Sequence, residues 1–282
     1  MTNPVNPTAD GAKPALSAIP ANAAQPANVE NPILRLANVS LAFGGLQALN
    51  DVSFTVIPQE MIGLIGPNGA GKTTCLRTIA GLLSPDSGAL ELNGVDVRGF
   101  SIDQRVVAGM ALTNQIVRPL RTLTVLDNVA LAWGRRRVGG LFRSLLRSGK
   151  SEARDAAGHI LGRVGIEDYA LHLATNVPLG VLKRLEVARA IALEPGIVFF
   201  DEPLAGLNHV EAGKLADLIL SLNRDDGLTV VLVEHNLREV VRICDRLIVL
   251  ETGAVLADGT AKTVIREPAV ITAYVGEEAS HA

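Results

Sequence analysis

Gly66-Pro67-Asn68-Gly69-Ala70-Gly71-Lys72-Thr73-Thr74 follows directly on the apolar run Met61-Ile62-Gly63-Leu64-Ile65. The stretch fits G-x-x-x-x-G-K-[ST], with a strand-length run before it and a helix-forming segment after it. At average residue frequencies the bare pattern arises by chance in about one chain in a hundred of this length, and the flanking context lowers that further. Its chemistry is phosphate binding. The glycines let backbone N–H groups turn inward around phosphate oxygens. Lys72 supplies a point charge for the β- and γ-phosphates, and the Thr73 hydroxyl is a ligand for Mg²⁺. The start of the following helix adds about half a positive charge. Residues 66 to 74 are therefore the candidate nucleotide-binding residues: Gly66, Pro67, Asn68, Gly69, Ala70, Gly71, Lys72, Thr73 and Thr74.

The rest of the 282 residues is consistent with one large or two small folded units. Hydrophobic residues make up 48% of the chain, enough for a sizeable core, yet no apolar run approaches a membrane span. The clean runs at 197–200 and 229–233 have the length of buried strands. The extra apolar surface points to docking against a partner, and buried parallel strands raise it as well. A net charge of −3 gives no overall bias toward nucleic acid. The two cysteines, Cys75 and Cys244, form neither a disulfide framework nor a metal pair. Residues 1–32 are rich in Ala, Pro, Asn and Thr and lack the basic start and apolar core of a secretory signal. They read as a disordered tail, with the folded part beginning near Ile33.

Residues 33–39 and 52–57 read as strands of an antiparallel layer, with Phe43-Gly44-Gly45 in the loop between them. Strand 61–65, the phosphate loop and helix 72–81 come next, then a short strand at 89–93. A mostly helical region spans about 101–193. Strand 197–200 ends in Asp201-Glu202-Pro203, helix 210–223 follows, and strand 229–233 ends in Glu234-His235. A helix, strand 246–250 and a hairpin strand at 254–257 close the core. Strands alternating with helices give an α/β fold, a parallel sheet wound by right-handed crossovers. Sites in such sheets lie off the carboxyl ends of the strands. The phosphate loop, Asp201-Glu202 and His235 all follow strands at that edge and are expected to converge.

The phosphate loop alone leaves GTPases, kinases and ATPases open, although the chain has no Asn-Lys-x-Asp guanine motif. Ile197-Val198-Phe199-Phe200-Asp201 is a second nucleotide motif, an apolar strand ending in a carboxylate that holds Mg²⁺ directly or through water. Glu202 is placed to orient or deprotonate an attacking water. With these residues in place the sequence resembles the ATP-binding cassette family, the nucleotide-binding subunits of ABC transporters, from about residue 33 to 277. Phe43 fits the aromatic residue that stacks on adenine, and Gln115 the glutamine that senses Mg²⁺ and transport state. Residues 176–186 occupy the family's signature region. Asp201 fits the metal-binding aspartate, Glu202 the catalytic glutamate, residues 204–208 the D-loop and His235 the switch histidine at the γ-phosphate. The resemblance implies a P-loop NTPase of the ABC-cassette type: a parallel core sheet, a small antiparallel β layer and a helical subdomain at about 101–193. It implies ATP and Mg²⁺ as cofactors, with Thr73, Gln115 and Asp201 around the metal.

Within the family, three stretches look like the ATP-binding subunits of branched-chain amino acid importers. They are Asp201-Glu202-Pro203-Leu204-Ala205-Gly206-Leu207-Asn208, Val233-Glu234-His235-Asn236, and the segment from Glu267-Pro268 to Tyr274-Val275-Gly276-Glu277. Leu123-Thr124-Val125-Leu126-Asp127-Asn128-Val129 matches too, and residues 278–282 form a short tail. The resemblance implies integral membrane permease subunits, a second ATP-binding subunit and a solute-binding protein as partners, with no nucleic acid. It implies a peripheral location on the cytoplasmic face of the inner membrane. Related importers carry other amino acids, amides, urea or small organic acids, so the solute is a class expectation.

The family signature is Leu-Ser-Gly-Gly-Gln or close to it, and here Val177-Pro178-Leu179-Gly180-Val181 stands in its place. Downstream, Lys183-Arg184-Leu185-Glu186-Val187-Ala188-Arg189-Ala190 fits well. In the family this segment caps the γ-phosphate bound to the opposite subunit. Pro178 offers neither hydroxyl nor N–H. One charge-assisted hydrogen bond is worth about 1.5–3 kcal/mol, so the site that this segment completes is expected to be weakened. Gly180 keeps a backbone contact in this reading, and Asn208 replaces the aspartate common in D-loops. The branch often pairs two different ATP-binding subunits, so a heterodimer is the favoured expectation over a homodimer. A basic insertion at about 134–155, with Arg135-Arg136-Arg137 at its start, reads as a solvated insertion with helix-face charges, with contact to a membrane surface as the alternative. Two other functions compete: an ATP-binding regulatory cassette with weak hydrolysis, and a soluble ATPase of the same family acting on nucleic acid or ribosomes.

Overall fold

The computed structural model describes residues 31–113, 119–137 and 147–280. Gln115 and residues 138–146 of the basic insertion lie outside the described residues. The chain opens with strands β1 (Leu34–Phe43), β2 (Leu46–Val56) and β3 (Met61–Ile65), followed by helix α1 (Lys72–Ala80). Strands β4 (Ser87–Leu92) and β5 (Val95–Asp96), helix α2 (Ile102–Val107) and strand β6 (Met110–Leu112) come next. Helices α3 (Val125–Arg137), α4 (Arg147–Val164) and α5 (Leu179–Ile191) precede strand β7 (Ile197–Asp201). Then α6 (His209–Arg224), β8 (Thr229–Val233), α7 (Leu237–Ile243), β9 (Arg246–Glu251) and β10 (Ala254–Thr260) lead to α8 (Ala261–Val264) and α9 (Pro268–Ser280).

Two sheets form. The smaller is antiparallel, in the order β2-β1-β4-β5, and the larger runs β10-β9-β3-β8-β7-β6. Within the larger sheet β9, β3, β8, β7 and β6 are parallel, and β10 pairs antiparallel with β9 at the edge. Its strands are apolar on both faces because both faces are covered. Ile62, Leu64, Phe199, Val231, Val233 and Ile248 pack toward the small sheet and α1. Met61, Ile65, Val198, Phe200, Val230 and Leu232 point to the opposite face, against the helices. The alternation is the two-residue period of a strand. Gly63 lets α7 sit directly on β3: a Cβ there would lie 2.6 Å from Val240 Cγ1 and 2.7 Å from Leu247 Cδ2.

Two features depart from the sequence reading, and a third, the burial of Arg105, lay outside it. The loop expected around Phe43-Gly44-Gly45 is a two-residue hairpin turn, and Phe43 ends β1 itself. Gly44 (φ 53°) and Gly45 (φ 97°) both take positive φ, as the tightest hairpin turn requires. Strand β6, inside the stretch expected to be mostly helical, joins the core sheet beside β7. Its three residues are too few to show a period. Arg105 is fully buried, donating to the carbonyls of Thr78 (2.8 Å) and Ile79 at the end of α1. A guanidinium there satisfies helix carbonyls that have no partner within α1 and matches the negative end of the helix dipole. Among the described residues no helix is long and apolar enough to cross a membrane.

Candidate nucleotide-binding and hydrolysis site

The sheet order places β3, β8 and β7 side by side. Their register puts Leu64 and Asp201 level with Val233 on either side. The segments leaving these three strands, 66–71, 202–208 and 234–236, therefore emerge together at one carboxyl edge.

The phosphate loop is shaped by backbone conformations that suit glycine. Gly66, Gly69 and Gly71 have φ of 147°, 78° and 100°. A Cβ on Gly66 would lie 2.1 Å from the Leu250 carbonyl, and one on Gly71 would lie 2.8 Å from the Ala48 carbonyl. Gly71 caps α1 without any side-chain hydrogen bond to the first-turn amides. Those amides face the loop, an arrangement suited to anions. Lys72, the first helical residue, is buried, and its Nζ donates to the carbonyls of Gly66 (2.6 Å) and Pro67 (2.9 Å). The ammonium is thereby folded back over the loop. Thr73 follows it, half-buried, in the first turn.

Asp201 ends β7, 9% exposed. Its N–H donates to Thr113 Oγ1 (3.3 Å), just past β6, so the strand missed in the sequence supports the site. Asp201 Oδ1 is buried and has no hydrogen-bonding partner among the described residues. Burial, with the neighbouring Glu202 carboxylate, pushes the Asp201 pKa from 3.8 up to about 6, against the pull of Arg77, Lys183 and Lys72. An orphaned, buried carboxylate oxygen beside a threonine-bearing phosphate loop fits a divalent cation.

Glu202 adopts φ 48°, a left-handed conformation uncommon outside glycine. Its N–H donates to the Val233 carbonyl (2.9 Å), which ties the turn to β8. Its carbonyl accepts from the Ala205 N–H (3.2 Å) and from Lys183 Nζ (3.1 Å). Glu202 Oε1 lies 3.7 Å from Nδ1 of His235, whose ring is largely exposed. Strained, non-glycine backbone of this kind concentrates at functional sites. Buried Glu234 accepts the Leu204 N–H (2.7 Å), fixing the segment after Glu202.

The remaining expected residues flank this edge. Phe43 is half exposed at the tip of the β1–β2 hairpin, and the Ala48 carbonyl of that hairpin is the one that approaches Gly71. Pro178 stands at the N-cap of α5 with no side-chain cap, one residue before the first helical turn. The next residue, Leu179, is half exposed. The Cβ position of Gly180 lies 3.2 Å from Glu211 Oε1. The Asn208 side chain caps α6, accepting from the N–H groups of Val210 and Glu211 (both 3.0 Å). Lys183, buried in α5, carried no assigned role in the sequence reading. Its contact with Glu202 spans nineteen positions and leaves no local sequence signal.

Asp201→Asn tests the electrostatics of this edge. The carboxyl pKa is raised in the folded state, so its ionisation costs stability progressively from about pH 4 to pH 6 and fully above. The amide removes that cost, roughly 2–3 kcal/mol, which converts to a Tm several degrees higher at pH 7.5 without metal. The difference disappears near pH 4, and the stabilisation added by Mg²⁺ with ATP is smaller in the variant. A Tm lower than the wild type at pH 7.5 contradicts the assignment.

Comparison with known proteins agrees with this geometry. A family profile described as ABC transporter matches residues 49–205. The high-affinity branched-chain amino acid transport ATP-binding protein LivG of Escherichia coli is 38% identical over 254 residues, covering 88% of this chain and all of LivG. The corresponding protein BraF of Pseudomonas aeruginosa is 36% identical with the same coverage. Among solved structures, a nucleotide-free ATP-binding cassette from an ABC transporter superposes with a TM-score of 0.77 at 29% identity, covering 87% of this chain and 100% of that one. A cassette in its ADP conformation gives 0.77 at 30% identity, covering 87% and 99%. With the phosphate loop, Asp201, Glu202 and His235 gathered at one sheet edge, this chain belongs to the ABC transporter family as one of its ATP-binding, ATP-hydrolysing cassettes.

Proposed function

We propose that the chain is the ATPase subunit of an importer for branched-chain or related amino acids, working with integral membrane permeases and a second cassette. The observation that carries this is the convergence of Lys72, Asp201, Glu202 and His235 on adjacent strand ends. Phosphate oxygens compete with the Gly66 and Pro67 carbonyls for the Lys72 ammonium. The α1 amides and the loop N–H groups take the remaining phosphate charge. Phe43, at the hairpin tip, is assigned to the adenine ring. Thr73 and Asp201 would hold Mg²⁺, joined by Gln115. Bound there, the metal neutralises charge on the β- and γ-phosphates.

Glu202 takes a proton from water as the water oxygen bonds to the γ-phosphorus. The bond from that phosphorus to the bridging oxygen breaks, leaving ADP and phosphate. His235, beside the Glu202 carboxylate, is placed to donate to the γ-phosphate. The likeness to LivG and BraF supports the solute class, since their names assign them to branched-chain amino acid transport.

The altered start of α5 favours a second, different cassette as partner. Pro178 gives the opposite nucleotide no hydroxyl and no N–H, and Leu179 brings an apolar side chain instead. The complex purified with its membrane subunits, placed in lipid vesicles with a solute-binding protein, tests the reading. Hydrolysis is expected to rise with leucine, isoleucine or valine, and a non-identical cassette is expected to co-purify. Stimulation by DNA or ribosomes in place of a solute overturns the importer reading. No response to any hydrophobic amino acid overturns the solute class.

A further inference from the structure

We propose that Lys183 is a positioning residue for hydrolysis: from α5 it grips the Glu202 carbonyl and fixes the left-handed backbone that presents the Glu202 carboxylate to the nucleotide. The inference rests on the assignment of Glu202 as the residue that activates water. Lys183 is 5% exposed, and its Nζ donates to Glu202 O at 3.1 Å. That carbonyl belongs to the peptide preceding Pro203, which has no N–H to anchor from its other side. The carbonyl also accepts the short-range N–H of Ala205 (3.2 Å). Glu202 holds φ 48°, a conformation that costs about 1–3 kcal/mol and persists only when its surroundings over-determine it.

The ammonium is the group from the helical side that supplies this restraint. Burial pulls its pKa down, and the nearby carboxylates of Glu234, Glu186, Glu202 and Asp201 push it back up. A buried cation thus sits among acidic groups of the site, where an uncompensated buried charge would be costly. Because α5 begins at the signature-like segment, Lys183 also links that segment mechanically to the catalytic turn.

The experiment compares Lys183→Met, which keeps length and removes the donor, with Lys183→Arg, which keeps donor and charge. Binding of ATP is read by titration calorimetry on the full chain, with folding checked by circular dichroism, and turnover by phosphate release from the complex with its partner cassette and membrane subunits. Lys183→Met is expected to bind ATP like the wild type and to turn over about 10- to 100-fold more slowly, the loss that a small misplacement of a catalytic group causes. Lys183→Arg is expected to recover most of that rate.

Wild-type turnover in folded Lys183→Met overturns the proposal. So does a parallel loss of ATP affinity and rate in both variants, the pattern of a purely structural role. Should the methionine variant not fold, Lys183→Gln takes its place with the same two outcomes. Glu202→Gln run alongside separates the two inferences. If it stalls turnover and the Lys183 variants do not, only the positioning role fails; if it turns over normally, the assignment of Glu202 fails.

Discussion

Glu202→Gln is expected to bind ATP with wild-type affinity and to hydrolyse it roughly a thousandfold more slowly, the range for removal of a general base. The amide is nearly the shape of the carboxylate, so the backbone contacts to Val233, Ala205 and Lys183 stay in place. It cannot accept a proton from water. The phosphate-binding groups lie on a different segment, the loop after β3, and are untouched by the change. The variant therefore separates binding from chemistry. It should accumulate bound ATP, detected by filter binding or by the nucleotide recovered after gel filtration. A variant that loses binding and turnover together would place Glu202 in nucleotide binding instead.

Lys72→Ala acts one step earlier. The ammonium is buried at the head of α1 and held by two loop carbonyls, poised for phosphate oxygens. Each charge-assisted contact that it makes to phosphate is worth about 1.5–3 kcal/mol. Losing two of them lowers ATP affinity by roughly a hundredfold or more, and turnover falls with it. The fold should survive, because alanine favours the helix. Calorimetric titration of ATP into wild type and variant checks the prediction. Equal affinities would contradict the role given to residues 66–74.

The sequence carried the site better than it carried the supports of the site. Gly66 to Thr74 and Asp201-Glu202 were legible because phosphate and metal chemistry demand particular residue types at fixed local spacing. The adjacency of β3, β8 and β7 was foreseeable from the alternation of strands and helices. Strand β6 was not: its three residues show no period, yet Thr113 beyond it holds the Asp201 N–H. The turn at Gly44-Gly45 converts an expected loop into a tight hairpin and brings Phe43 to its tip.

Arg105 and Lys183 had no role assigned from the sequence, since nothing local announces that each is buried against backbone carbonyls far along the chain. Asn208 was read for the nucleotide edge, and its side chain is engaged in capping α6. For Arg105 and Lys183 the missing information is a long-range contact to a main-chain carbonyl, which leaves no complementary residue type to recognise, whereas the Asn208 cap is local. Pro178 shows the converse. Its chemistry was plain from the sequence, and the structure adds that it occupies the N-cap itself, where a serine hydroxyl would otherwise cap α5.

The central claim is that this sheet edge binds ATP and that Glu202 drives its hydrolysis. Its most direct test is phosphate release from Mg²⁺-ATP by the wild-type complex and by the complex carrying Glu202→Gln, each at saturating nucleotide. The wild type is expected to release phosphate continuously, while the variant holds ATP and releases almost none. Equal rates in the two proteins would contradict the claim.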